Sequence, residues 1–261
     1  MARTPQPIRS DIAWSNRTQI VVRGKSLPEE VIGELNLGDF SYLQLTSRMP
    51  TREQSRVFNA ILVTLVEHGL TPSAIAARLT YAGAPESMQA AVAAGLCGLG
   101  TVFVGSMETA ARLLYETLPD GPARVDLEAK ARDVAKAYAD ARRILPGVGH
   151  PIHKPVDPRA PRLFQVAVEC GLNGGYCTLM RLIAREAERL SGKSLPVNAT
   201  GAIGALCCEL GFPWKVVRGF GVMARAVGLV GHIMEEAERP IANEVWLRTE
   251  EEASRHVRQP D

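Results

Sequence analysis

Between Gly147 and Ala160 the chain reads Gly147-Val148-Gly149-His150-Pro151-Ile152-His153-Lys154-Pro155-Val156-Asp157-Pro158-Arg159-Ala160. Two imidazoles, an ammonium and a guanidinium are gathered in one short loop. The glycines free the backbone just before His150. Asp157 and Pro158 fit the N-cap and first position of a helix. Arg159 then falls in its first turn, where the macrodipole is positive and a cation is disfavoured. Backbone donors, a helix N-terminus and cations together can bind and polarise an anion. The same residues also fit a Gly/Pro-rich turn with a solvated basic rim, and spacing does not separate the two readings.

Arg225 is a second residue of interest, because Val222, Met223, Ala226 and Val227 around it are apolar. It is either a charge on a helix surface or a guanidinium that needs a partner or a ligand. The five cysteines, Cys97, Cys170, Cys177, Cys207 and Cys208, are odd in number and lack CxxC spacing. A disulfide framework and a zinc site are therefore disfavoured, the thiols read as small buried hydrophobes, and a reducing cytoplasm fits them. His232 and His256 read as structural or solvated.

The elements that must position these residues are mostly helical. A chain of 261 residues forms one large domain or two lobes. Its net charge of +2 and 5% aromatic content argue against a nucleic-acid surface or an acidic membrane as partner. Thr51 with Gln54 is a capping-box signal ahead of Val57, Phe58, Ile61, Leu62 and Leu65 at helical spacing. Pro72 and Pro85 read as helix starts, with Gly69 a stop before the first. Further helices are expected from Ser106 to Glu116, Pro122 to Leu145, about Pro158 to Leu190, Gly201 to Leu210 and Pro213 to Glu236. A strand is expected only at Gln19–Arg23. Met1 to Arg17 is polar and does not read as a secretory signal. Ser87–Met107 is uncharged and long enough to span a bilayer, but its Ala/Gly content reads better as a closely packed buried helix.

With these features in place, the chain resembles the citrate synthase superfamily, above all its citryl-CoA lyase branch and the C-terminal lyase domain of ATP-citrate lyase. Motifs similar to the family's occur in order: Arg23-Gly24; Tyr42 to Thr51 (YLQLTSRMPT); Glu67-His68-Gly69-Leu70-Thr71-Pro72-Ser73 followed by Ala77-Arg78; the 147–160 loop; and Met223-Ala224-Arg225-Ala226-Val227-Gly228 with Glu238-Arg239-Pro240 behind it. The resemblance runs from about residue 12 to 246. It implies an all-α, citrate-synthase-like, two-lobed fold with the active site in the interdomain cleft. The large domain would comprise 1–105 and 201–261, the small one 106–200, and closure would exclude water.

The resemblance also assigns roles. His150 would hydrogen-bond the ketone or hydroxyl oxygen of an organic acid, with His68 touching the same substrate. Arg159 and Arg225 would hold its carboxylates, which a guanidinium fork suits. Arg239 would reach the neighbouring subunit's site. Pro146, Gly147, Val148 and Gly149 would receive the adenine end of CoA, with Lys154 at a phosphate. His68 also fits a helix end, and His153, which has no family role, fits a satisfied or exposed loop histidine. A homodimer, or a higher homo-oligomer, is expected through the Ala/Gly-rich 90–100 segment. No covalently bound cofactor and no metal are expected; the CoA thioester is substrate.

Two positions depart from the family's pattern. Phe103 stands where citrate synthases place a catalytic histidine, as in the ATP-citrate lyase branch, with Val104 for a usual glycine. In Asn198-Ala199-Thr200-Gly201, Thr200 stands where the family has its catalytic aspartate. A threonine hydroxyl lacks the basicity for that proton transfer without an activating partner, but it can donate to a thioester carbonyl or enolate, or N-cap the next helix. Three functions follow. One is a citryl-CoA lyase-like enzyme, with catalytic positions His150, Thr200 and Phe103, cleaving citryl-CoA to acetyl-CoA and oxaloacetate. Another is a lyase or thioesterase acting on a different acyl-CoA. The third is a catalytically silent CoA-binding regulatory protein.

Overall fold

A computed structural model of the chain describes residues 7–150 and 153–257. Pro151 and Ile152 of the histidine loop, and the first six residues of the polar N-terminal stretch, lie outside the described residues. The chain divides into two compact units, residues 1–59 and 60–261.

The first unit opens with a three-stranded antiparallel sheet, β1 (Ala13–Ser15), β2 (Ile20–Val22) and β3 (Lys25–Ser26). The expected strand is thus the middle one of three. Arg23 and Gly24 form the turn between β2 and β3, both with positive φ (49° and 80°), as a two-residue type I′ hairpin demands. The Arg23 guanidinium donates to the Gln44 carbonyl at 2.6 Å and 3.1 Å. That carbonyl lies near the C-terminus of α1 (Leu37–Thr46), where a cation is favourable. The capping box forms as read: Gln54 N–H donates to Thr51 Oγ1 and Thr51 N–H to Gln54 Oε1. It opens α2 (Arg52–Val66), which carries the chain into the second unit.

The second unit is all helical: α3 (Pro72–Gly83), α4 (Met88–Cys97), α5 (Gly105–Thr117), α6 (Leu127–Asp140), α7 (Arg159–Glu169), α8 (Gly175–Ser191), α9 (Ala199–Glu209), α10 (Trp214–Glu238) and α11 (Ala242–Ser254). α9 is its centre. Small and apolar residues surround its whole circumference, so it can be buried on every side, and α5, α7, α8 and α10 pack on it. Ile203 and Leu206 are fully buried there, each stabilising the fold by roughly 1.5–3 kcal/mol. Gly204 lies against Ala110 and the backbone of α5, closer than a side chain would permit.

Several boundaries differ from the sequence reading. Pro72 does begin α3, but Pro85 sits in a turn three residues ahead of α4. Ser106 lies inside α5, whose N-cap is Val104. α6 starts only after Asp126, which accepts from Glu128 N–H and Ala129 N–H. The single helix expected from Pro158 to Leu190 is two, broken at Gly171 with φ 67°. The expected buried helix within 87–107 is α4 alone, and only Ala91 and Gly95 of it are buried. Gly95 meets Leu229 and the Ser73 carbonyl, so α4 docks on α3 and α10 by a narrow stripe of small residues. Its Met88, Gln89, Ala90, Ala93 and Cys97 face outward. Cys97 is therefore exposed, against expectation, whereas Cys177, Cys207 and Cys208 are buried and burial pushes their thiols up. α10 is long and apolar enough to cross a membrane by length and composition, and it packs on α3, α4, α5 and α9.

Candidate active site

The histidine loop is fastened to the start of α9 by backbone. Gly147 and Gly149 both have positive φ, at 80° and 75°, which glycine adopts without strain. Asn198 N–H donates to the Gly147 carbonyl at 3.0 Å, and Gly149 N–H to the Pro196 carbonyl at 2.8 Å. Val148 pairs with Val197 between them. Gly147 and Gly201 touch backbone to backbone, and a Cβ on either would overlap the other. The Gly149 donor expected for an anion is therefore already engaged within the protein.

Asn198 is the N-cap of α9: its Oδ1 accepts from Gly201 N–H at 3.1 Å, and its Nδ2 donates to the Gly149 carbonyl at 2.6 Å. This corrects the sequence reading in which Thr200 could cap the helix. Thr200 sits in the first turn, half-buried, and its hydroxyl donates to Asn198 Oδ1 at 2.7 Å. Its proton is thus committed, and its lone pairs are the part of the hydroxyl left to accept a hydrogen bond.

Asp157 is the anion of the loop. Its side chain is 0% exposed. Oδ1 accepts from Arg159 N–H at 3.1 Å and Nε at 3.0 Å; Oδ2 accepts from Arg159 Nη2 at 2.9 Å and from Ala199 N–H at 2.8 Å. Burial opposes ionisation of Asp157, but the hydrogen bonds from Arg159 and Ala199 outweigh it and hold its pKa at about 2. The carboxylate thus sits at the N-termini of α7 and α9 together, where two helix dipoles favour it. Pro158, rather than Asp157, takes the N-cap position of α7, and Arg159 is its first residue. The unfavourable placement of that arginine is offset by Asp157 itself. Sequence reading took Asp157 for a cap and missed its wider role; the Asp-Pro-Arg spacing was the available signal.

The three histidines His68, His150 and His153 form one cluster. His150 Nδ1 accepts from the His153 backbone N–H at 2.9 Å. A ring nitrogen that accepts carries no proton, so this bond assigns His150 as the neutral tautomer with Nε2–H as donor. Burial, then the His153 ring, hold its pKa below the ordinary 6.5. His153 stacks on His150 with ring centroids 4.4 Å apart, and its Nε2 is 3.4 Å from His68 Nε2. Burial, then Arg159, His153 and Arg225, likewise hold His68 down. His153 was expected to be a bystander of the loop; it lies between the two histidines assigned to substrate.

A second group of charges supports His68 from behind. Glu67 Oε1 accepts from the backbone N–H of His68 at 2.7 Å and of Gly69 at 2.6 Å. His232 Nε2 is 3.1 Å from the same oxygen, and Arg78 Nε donates to His232 Nδ1 at 3.2 Å. Arg78 is buried and also pairs with Glu236, at 2.9 Å, and Glu235. His232 is therefore structural, as expected, in a chain that ends on the turn carrying His68. Gly228 lets α10 press its backbone onto the Val66 carbonyl. One turn earlier, Arg225 is half-buried, and burial lowers its pKa. Its Nε is buried with no hydrogen-bond partner among the described residues, whereas Arg159 is committed to Asp157.

The remaining expected residues stand differently. Phe103 is 52% exposed on the turn before α5 and makes no ring contact with the histidines among the described residues. Val104, beside it, packs against Gly221 of α10 and Met107 lies on the same glycine, so Val104 serves the core. Lys154 is exposed and Pro146 half-buried. Arg239 ends α10 with its side chain 78% exposed, 3.7 Å from Glu235. His256 is exposed. No group of three or more His, Cys, Asp or Glu side chains among the described residues is arranged to hold a metal ion. A concave groove between α3 and α11, lined by Leu79, Val245 and Trp246, holds no histidine or arginine.

The fold agrees with what is found in known proteins. The family model for the citrate synthase C-terminal domain matches residues 16–246. A solved citryl-CoA lyase from Hydrogenobacter thermophilus superposes with a TM-score of 0.80 at 34% identity, covering 88% of this chain and 87% of that one. An ATP citrate lyase from Methanothrix soehngenii, solved with citrate and coenzyme A, gives 0.74 at 20% identity over 91% of this chain and 40% of its own, a likeness of fold. A citrate synthase from Deinococcus radiodurans is 26% identical over 231 residues, 87% of this chain and 58% of its own length. The chain spans about half the length of the curated relatives it matches. With the fold, the ordered motifs and the family model in agreement over nearly its whole length, the chain belongs to the citrate synthase family.

Proposed function

We propose that the protein is a citryl-CoA lyase-like enzyme, cleaving citryl-CoA to acetyl-CoA and oxaloacetate. The observation that carries this reading is the 34% identity to a citryl-CoA lyase across most of both chains. The site chemistry supports it. His150, with its proton on Nε2, would polarise the oxygen that changes between alcohol and ketone. Arg225, with an unused buried Nε, and Arg159, with its remaining donor edge, would hold the carboxylates. Pro146, Gly147, Val148, Gly149 and Lys154 would meet CoA, although Gly149 N–H is already engaged. Phe103 and Thr200 would face the thioester, Thr200 accepting rather than donating. Arg239 would serve a neighbouring subunit across a homodimer built on the uncharged outer face of α4. Lobes 1–105 with 201–261 and 106–200 would close over the substrates. The protein would work in the cytoplasm on small molecules, without nucleic acid, membrane or covalently bound cofactor.

The test is cleavage of citryl-CoA by purified protein, with oxaloacetate followed through malate dehydrogenase and NADH absorbance. Turnover that His150→Ala abolishes is the expected result. Folded protein with no turnover overturns the reading. Thr200 favours a second one, a lyase or thioesterase acting on another acyl-CoA. Thr200→Asp separates the two: if it creates or raises citryl-CoA cleavage, the native chain is adapted to a different thioester.

A further inference from the structure

We propose that His153 and His68 form an acid–base pair that takes over the proton transfer for which this chain has no carboxylate at position 200. The inference rests on the lyase reading and deepens it. Two ring nitrogens 3.4 Å apart share a contact that is favourable when one donates and the other accepts. The pair therefore holds an exchangeable proton between them. His150 is excluded from this task by its own hydrogen bond: its Nδ1 is occupied by the His153 backbone N–H, leaving it a fixed donor. Thr200 is excluded by its commitment to Asn198.

The surroundings suit a pair that gains and loses one proton. His150, stacked on His153, is held neutral, and the charged groups that act on His68 are Arg159, Arg225 and Asp157. Glu67 holds the His68 backbone from the opposite side while its carboxylate is spent on two N–H groups and His232. Burial and the two arginines oppose a standing positive charge on His68, so a proton taken up there is readily released.

The step balances without a further reactant. The hydroxyl proton of the tertiary alcohol passes to a ring nitrogen of the pair lying outside the His68–His153 contact. The bond between carbinol carbon and thioester α-carbon breaks, its electron pair becoming that of the CoA enolate, and the carbinol carbon becomes the ketone. The enolate carbon then takes a proton from the pair, which returns to its starting state. His150 Nε2–H would hold the oxygen throughout.

His153→Gln tests the pair without disturbing the backbone N–H that fixes His150, and His153→Asn is the second variant should the first fold poorly. With citryl-CoA, the expected result is a kcat at least ten-fold lower, KM within about two-fold, and loss of the acid limb of the pH profile. A kcat and pH profile matching the unaltered enzyme overturn the pair while leaving the lyase reading intact. Nuclear magnetic resonance of the full chain labelled with nitrogen-15 histidine gives an answer independent of turnover. Coupled titration of His68 and His153, with His68→Gln shifting the midpoint of His153, supports the pair even where citryl-CoA proves not to be the substrate. Independent titration of the two rings overturns it.

Discussion

Arg159 and Arg225 look alike in the sequence, each a guanidinium assigned to a carboxylate, yet the structure places them in opposite situations. The Arg159 side is closed on itself. Asp157 takes its fork, the same carboxylate receives the first amide of α9, and the loop backbone is pinned to residues 196–198. On the Arg225 side the commitments stop one residue short. Glu67, His232, Arg78 and Glu236 satisfy one another, while Arg225 keeps a buried Nε without partner among the described residues. One arginine is committed to a carboxylate of the protein itself; the other, under the lyase reading, would be completed by a bound anion. A buried polar group left unpaired costs stability, and binding of an anion there would relieve that cost.

The largest effect that could break this contrast is in stability. Arg159→Ala leaves Asp157 buried without its guanidinium and is expected to cost roughly 3–5 kcal/mol of unfolding free energy; equilibrium denaturation reads it. A loss under about 1 kcal/mol would mean that the Asp157 pair is not structural. Arg225→Ala is expected to leave stability nearly unchanged but to weaken binding of the organic acid by roughly 2–5 kcal/mol, measured by titration calorimetry with citrate. Equal effects of the two variants on folding would erase the distinction.

Two smaller effects sharpen it. The Asp157 pKa lies at about 2, below its ordinary 3.8. A depressed carboxylate contributes stability above its unfolded pKa and loses it as pH falls through the folded one. The contribution is about 2 kcal/mol, lost between about pH 4 and pH 2. Acid titration of stability in the unaltered protein and in Asp157→Asn should show the difference there. Gly201→Ala and Gly228→Ala each force a methyl group into backbone, at a cost of about 1–3 kcal/mol. The first should disturb the histidine loop and the second the setting of Arg225, which histidine and arginine resonances would report separately.

The candidate site was legible in the sequence because its residue types and spacing are local. The histidine loop, the Arg225 helix and the His68 turn carry residue types whose company already asks for explanation. What was not legible depends on contacts between distant segments. Nothing near Asp157 announces that its second oxygen meets Ala199, and nothing near His153 announces His68, eighty-five residues away. Helix starts failed for a related reason. Pro85 satisfies the rules for a first turn, but the chain is still turning there and α4 begins only at Met88; Ser106 satisfies those for a cap, but α5 already begins at Gly105, where the contact of Val104 with Gly221 sets its start. Ser87–Met107 was expected to be a closely packed buried helix because it is rich in Ala and Gly, yet within α4 packing reaches only Ala91 and Gly95.

The end of α10 holds one further consequence. Glu236, 3% exposed, accepts from Ile241 N–H at 2.9 Å and Ala242 N–H at 2.8 Å while bound to Arg78. One carboxylate therefore closes α10 and launches α11, and Ala242 is the only buried residue of that last helix among those described. In deuterated water the final helix should exchange as a gradient. The Ile241 and Ala242 amides, held by Glu236, would be slow to take up deuterium, and the amides toward Ser254, where the helix buries nothing, would take it up fastest.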